Sequence, residues 1–536
     1  MHHPIRSLLH ATLTAALVLA ATQAQAQSGS VRVKVKADLE SAPDQGTGVA
    51  KMVQGDAGSF VALKTKGGTT VLGGLQESEL EWNLCAYGSD KMNLIKCDKP
   101  KFVWGVGPVT METIERYGGR VRAILSKPDP ANGKLMLLDQ VLDPRSLTGK
   151  AAALITEIPF GEFGKSASWF KPGLTLGFTT LRAADGKHML IGLSPLGTLR
   201  TAGCPTLGVM VDEQMKPLWT RTLNLPMNAV RTDITGQLVD QDGAAWYLVK
   251  NTTDAAPKVK GVTGYAYVLY RVDSSGQKEI VLDLGDRIFA QEAALGRMPD
   301  GRITCTGTYA NADAGKNESV GVFHVALDGK AMKWTKAATV PFVLREVKNV
   351  QRLQNNMHLV QAWPKAAGGL YILAERAGIE THLVSELSGK KVEKTEWVSG
   401  DLHVMELAVD GSVKWYNQVP REMNFADNGP GKVFGLVKDD VLFAFFNDAE
   451  ANIELRKKKT AIEPVDKPKE ALMLEFKPDG GWKEKVVMKE GFKQGYFKAD
   501  QIWPLAEGLY GTTAAPDFRK DRTFPILIEL GSDTRH

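Results

Sequence analysis

Side chains able to act as bases, nucleophiles or metal ligands at neutral pH are sparse in this chain of 536 residues, which carries nine His and four Cys. His2, His3 and His10 fall in a leader-like N-terminus. His188, His324, His358, His382, His403 and His536 remain. None stands in H-E-x-x-H or another zinc-binding spacing, so no metal site is expected. His188, His324 and His403 sit in alternating apolar–polar runs, where a packed or merely exposed imidazole is the ordinary outcome. His382 lies in a long segment between such runs and is the one His placed as a candidate base. Cys204 and Cys305 have no base nearby in sequence and read as strand thiols. Cys85 and Cys97 flank the turn in CAYGSDKMNLIKC. They suit a disulfide across a hairpin in an oxidising compartment, with two free buried thiols as the alternative. G-x-S-x-G, P-loop and dinucleotide-binding patterns are absent. VDQDGAAW (residues 239–246) lacks the later ligands of a calcium loop and reads as a turn. No cofactor is expected. These residue types lean against an enzyme, although a site assembled from distant segments leaves no local motif.

The elements that would position any site are strands. After residue 30 most of the chain alternates apolar and polar residues in short runs, with turns rich in Gly, Asp and Pro. Two hairpins recur. One is written LRAADGKHMLIG, LVDQDGAAWYLV and LGRMPDGRITCTG. The other is written VMVDEQMKPLW, VALDGKAMKW, LAVDGSVKW and LEFKPDGGWKEKV. Eight anchors of the first kind, at Gly58, Gly119, Gly186, Gly243, Gly301, Gly369, Asp440 and Gly508, are 57 to 71 residues apart. Each unit reads as strand, tight turn, strand, variable loop, strand, Asp/Gly turn, strand. Small twisted sheets of this kind bury their faces by radial stacking. The expected fold is all-β: a β-propeller of four-stranded antiparallel blades, eight in number, with seven as the alternative. The last unit lacks a fourth strand. VRVKVKA (residues 31–37) is placed to supply it and close the ring. The Trp residues ending the second hairpin are expected to pack blade against blade.

The first 26 residues, MHHPIRSLLHATLTAALVLAATQAQA, have the basic, apolar and A-x-A parts of a secretory signal. Cleavage is expected after Ala26, leaving a single propeller domain over residues 27–536 in the periplasm or outside the cell. No Cys follows the apolar part, so a lipoprotein is not expected. The formal net charge of +5 is small for this length and gives no reason to expect a nucleic acid partner. No further apolar run is long enough for a transmembrane segment. A monomer is expected.

Antiparallel order puts the tight turns of every blade on one face and the variable loops on the other. The long segments 251–262, 309–319, 376–400 and 448–470 all belong to the second face. Tyr309, Arg376, His382 and Lys457 are its candidate binding residues. The run Arg456-Lys457-Lys458-Lys459, among many acids, reads as a solvated loop. These features favour an exported binding or scaffold protein that recognises a protein or envelope polymer. A propeller hydrolase or lyase acting on a glycan or peptide is the alternative.

The segment YILAERAGIETH…GDLHVMELAVDGSVKWYNQVPRE (residues 371–422) resembles uncharacterised secreted bacterial proteins of propeller type. The resemblance implies the fold and an exported location and brings no catalytic residues. The turn-then-Trp pattern is also loosely similar to the quinoprotein-type propeller repeat, whose consensus is Ala-x-Asp…Thr-Gly-x-x-x-Trp. Here LTGK (residues 147–150) occurs once without its Trp, and the vicinal Cys pair of many quinone-dependent dehydrogenases is absent. A quinone-cofactor dehydrogenase is the weaker alternative.

Overall fold

Each Asp/Gly turn reverses the chain because its backbone is already satisfied locally. In the hairpin ending at Trp415, Asp410 Oδ1 accepts hydrogen bonds from the N–H of Ser412 at 2.9 Å and from its hydroxyl at 2.6 Å. Gly411 takes a φ of +83°, open to glycine without strain. The computed structural model describes residues 31–37, 47–56, 58–66, 81–105, 107, 109–163, 176–195, 206–225, 229–253, 264–285, 287–311, 319–328, 332–343, 357–385, 391–425, 433–462, 464–465, 470–489, 496–498, 501–515 and 523–532.

Eight antiparallel sheets follow one another along the chain and form a ring. In chain order, blades 1 to 7 span residues 47–98, 110–159, 176–223, 229–281, 288–341, 357–425 and 434–489. Blade 8 takes its other strands from residues 496–532, and its outermost is Val31–Ala37. That strand runs antiparallel to Phe524–Ser532, from Val31↔Ser532 to Ala37↔Ile526. The eightfold propeller and its closure by an N-terminal strand are therefore both present. The expected signal segment, residues 1–26, lies outside the described residues. Among those described, no helix is long and apolar enough to cross a membrane.

Burial lies between the blades. Among the described residues an apolar cluster fills each of the eight gaps of the ring. One is Ile124, Leu137, Met189 and Val209 between blades 2 and 3. Another is Met52, Phe60, Trp503 and Leu527 between blades 8 and 1. A strand in such a sheet presents one alternate set of side chains to each neighbouring blade, so both faces are removed from water. The hairpin Trp residues join these contacts. Trp219 Nε1 donates to the Gly243 carbonyl of the next blade at 2.9 Å, and Trp334 Nε1 to the Val281 carbonyl of the preceding one at 3.1 Å. Trp415 stacks on Phe476 of blade 7 at 5.8 Å between centroids. A Cβ added at Gly480 would lie 2.7 Å from Trp415, so glycine is needed there. VDQDGAAW is a plain turn: Asp240 Oδ1 accepts from the Ala244 N–H at 2.8 Å, and Oδ2 from Trp246 Nε1 at 2.9 Å.

Glu406 ties the same hairpin to its blade. Its buried carboxylate accepts from Lys365 at 2.7 Å, Lys414 at 2.9 Å and Trp415 Nε1 at 2.9 Å. Burial pushes its pKa up, but the two lysine hydrogen bonds outweigh burial and hold it below the ordinary value. Glu406→Ala strands Lys365, which is itself buried, and should cost about 3 kcal/mol in urea unfolding. In the unaltered protein the contribution is present above the unfolded carboxyl pKa of about 4.3 and lost as pH falls through the depressed folded value. An acid limb of stability identical in Glu406→Ala and the parent would refute this.

The innermost strands carry bulges at matching places, between Val49 and Lys51, Met111 and Thr113, Ala290 and Glu292, and Leu359 and Gln361. A bulge adds twist where the blades converge on the axis and re-aims the neighbouring side chains.

Candidate functional site

Two insertions stand side by side on the loop face, in blades 6 and 7. In blade 6 the segment 376–400 is not a loop. The two central strands, Leu370–Ser385 and Lys391–Leu407, stay paired from Ala377↔Ser399 out to Ser385↔Lys391. At the usual rise this ribbon reaches about 30 Å beyond the blade. The short strand Met423–Phe425 pairs with Trp397–Ser399 and braces its base. Trp397 is 39% exposed there.

In blade 7 the segment 448–470 is also not a plain loop, since it contains a helix, Glu450–Lys457. EANIELRK keeps an acid in the first turn and bases in the last, as the helix dipole favours. The Glu470 carboxylate accepts from the Glu450 N–H at 2.8 Å, and just past the helix Lys459 takes a φ of +53° that turns the chain away. Arg456 is the correction to the solvated-loop reading. Its side chain is 0% exposed and pairs with Asp448 at 2.6 Å and with Glu484. It also donates to the Pro420 carbonyl of blade 6 at 3.0 Å. Two carboxylates around one guanidinium raise the Arg456 pKa against its burial. Burial first, with Asp448 behind it, raises that of Glu484 despite Arg456. Lys457, Lys458 and Lys459 do remain exposed.

The two insertions are fastened to each other. Val465 bridges to Met423 and packs with it and Ala449. Beneath them Arg421 of blade 6 pairs with Glu375 at 2.7 Å, and the Arg421 and Arg456 guanidiniums lie 5.7 and 5.8 Å from the Phe446 ring. Buried ions held this way fix the registry of the ribbon base and the helix together.

Two further polar groupings lie along the innermost strands. Between blades 5 and 6, Glu292 accepts from the Leu359 N–H at 2.8 Å and lies 2.5 Å from His358 Nδ1. The hydrogen bond to Glu292 raises the His358 pKa, burial opposes it, and Glu375 and the Ala377 carbonyl add to the rise. This arrangement favours the imidazolium form of His358. Between blades 1, 2 and 3, Lys51, Glu115 and Thr180 interlink, with Lys51 Nζ 2.8 Å from Thr180 Oγ1. Apart from these, burial pushes the Glu112 pKa up to about 7, with the Ser126 hydroxyl acting against it. Such a carboxyl can exchange protons at neutral pH, and the Ser126 hydroxyl is the side chain that hydrogen-bonds it. His403 is buried and His324 half-buried, each with its pKa lowered by burial to about 4, and they bond Tyr416 at 2.5 Å and Thr306 at 2.9 Å respectively. Among the described residues no group of His, Cys, Asp and Glu is arranged to hold a metal.

The candidate binding residues do not converge on one point. Arg376 and His382 lie along the blade 6 ribbon, His382 paired in register with Lys394 rather than in a loop. Lys457 lies on the blade 7 helix, paired with Glu454 at 2.7 Å. Tyr309 is buried in a blade 5 strand, in the core between blades 4 and 5. Cys85 and Cys97 are register partners in the outer hairpin of blade 1 and are joined by a disulfide. Cys305 is buried, which pushes its thiol pKa up. Cys204 lies outside the described residues. Of the other long segments, 254–263 and 312–318 also lie outside them.

No family model matches the chain, and no curated protein does. The chain is similar in structure to the WD40 domain of SCAP from fission yeast, at 9% identity and a TM-score of 0.39 over 94% of this chain and 98% of that one. It is similar to a protein of unknown function from Dyadobacter fermentans, at 10% identity and 0.32 over 94% and 100%. The polysaccharide lyase Uly1 matches at 10% identity and 0.36 over 81% and 93%. At such scores these likenesses carry no functional argument, and the fold stands on the strand pairing above.

Proposed function

We propose that the protein is an exported binding scaffold whose recognition surface is the joined ribbon and helix of blades 6 and 7. The observation that supports this reading is the mutual fastening of two insertions on one face. Loops that merely tolerate length have no need of buried ion pairs at their base. Beyond the brace at residues 423–425, the ribbon presents strand edges that can accept an extended segment of a partner protein. Trp397 and the exposed Lys457–Lys459 run supply an aromatic anchor and positive charge beside it.

The test is affinity capture from a cell-envelope extract. The intact protein is compared with a variant in which residues 379–396 are replaced by an Asn-Gly turn. The intact protein should retain a partner that the shortened one loses at least tenfold, with both melting within about 3 °C of each other. Equal retention by both would refute the surface. No retention, together with cleavage of an envelope polymer by the purified protein, would replace the scaffold with an enzyme.

A further inference from the structure

The opposite end of the channel carries a second feature that the recognition surface does not use. A cavity of about 770 Å³ opens among the innermost strands of blades 8, 1, 2 and 3. Gln54, Arg116 and Arg182, which line it, immediately precede the first tight turns of their blades. The cavity is therefore at the turn face, away from the ribbon and helix. Its charged lining consists of Lys51, Glu115, Arg116 and Arg182. The Glu115 carboxylate is already matched by Lys51.

The two arginines have only carbonyl partners among the described residues. Arg116 Nη1 donates to the carbonyls of Gln54 and Gly55, and Arg182 Nη1 to the carbonyl of Arg116 at 2.9 Å. Carbonyls orient a guanidinium without cancelling its charge. The Arg116 contacts cross from blade 2 to blade 1, and the Arg182 contact from blade 3 to blade 2. The forks are thus fixed in place by the ring itself. Each keeps N–H groups beyond Nη1 for a further acceptor. Blade 8 adds Ile502 and Pro504 as an apolar part of the lining, with Gln501 beside them in sequence.

We propose that this end of the channel binds a small organic anion, a carboxylate or phosphate carried on a short body, held by Arg116 and Arg182. Two oriented cations beside a small apolar patch suit a ligand with an anionic head on a short body, and planar guanidinium forks match carboxylate and phosphate oxygens. Lys51 is occupied by Glu115 and sets the floor of the site rather than its charge.

Isothermal titration at about 20 mM ionic strength tests this on the full chain, with inorganic phosphate and succinate as separate probes. At least one probe should bind saturably, and the stronger identifies the head group. Arg182→Glu should weaken binding by about tenfold or more, because it reverses one of the two charges that hold the ligand. Lys278→Glu, the same charge change on an exposed outer strand of blade 4, should alter it by less than about twofold. Arg182 is exposed, so its variant should fold, and an unchanged far-UV spectrum checks that. Glu115→Gln, which frees Lys51, should tighten binding, an effect of opposite sign that damage to the fold would not produce. Absence of saturable binding of both probes overturns the proposal, as does an equal response of Arg182→Glu and Lys278→Glu.

Discussion

Arg456→Ala should lower the unfolding free energy by about 3–5 kcal/mol, because it leaves the carboxylates of Asp448 and Glu484 facing one another in a closed space with no cation. The same change removes the bond to the Pro420 carbonyl, the direct polar tie from the helix to blade 6. The loss should therefore appear as a shifted urea midpoint and as faster amide exchange in residues 449–457. Replacing Arg456, Asp448 and Glu484 together by apolar residues of similar volume should restore most of the midpoint, since no buried charge is then left unpaired. The single substitution should also weaken partner capture, because the helix is half of the proposed surface. A midpoint unchanged by Arg456→Ala would show that water reaches the carboxylates, contrary to their burial.

The second large effect concerns the closing strand. Val33 is 6% exposed and packs into the core between blades 7 and 8, while Lys34 beside it faces outward. Val33→Asp places an unpaired carboxylate in that core and should cost about 3–4 kcal/mol. Lys34→Ala should stay within about 0.5 kcal/mol. The contrast between neighbours separates strand closure from a general effect of altering the N-terminal segment. Deleting residues 31–37 should go further, leaving Phe524–Ser532 as an open edge prone to pairing with another chain. A truncated protein that melts and stays monomeric like the parent would show that the ring holds without its last strand.

The ring was legible in the sequence because its evidence is local. Period-two alternation, Asp-Gly turns and a Trp at fixed distance lie within ten or twelve residues of one another in VALDGKAMKW and LAVDGSVKW. The missing fourth strand could be noticed for the same reason. The loop face was legible only as length. Ile379, Trp397 and their neighbours do alternate with polar residues, but mixed charges and Gly378 and Gly389 made the ribbon read as a loop. Arg456 misled because its partners stand at 448 and 484. A basic run among acids looks solvated unless the fold brings particular acids into contact with one of its members. The turn-face arginines left a faint signal: Arg116, Arg182 and Arg297 each come three or four residues before the anchor glycine of a first turn. That recurrence marks a position along the channel, but which blades gather around one cavity depends on ring order, which no single repeat contains.

Closure of blade 8 has a consequence for the order of assembly. Every other blade is built from consecutive strands, so its pairings form from neighbours in the chain at little cost in loop entropy. Val31 pairs with Ser532, so this pairing joins segments far apart in the chain and must wait until both are made. Until then the outer strand of blade 8 is absent and the apolar surface around Phe434, Phe497 and Ile528 lacks part of its cover. The slowest event in forming this molecule should be a single long-range docking rather than the folding of any sheet. A nearly complete, still open ring is the species most exposed to self-association and most in need of a holding chaperone.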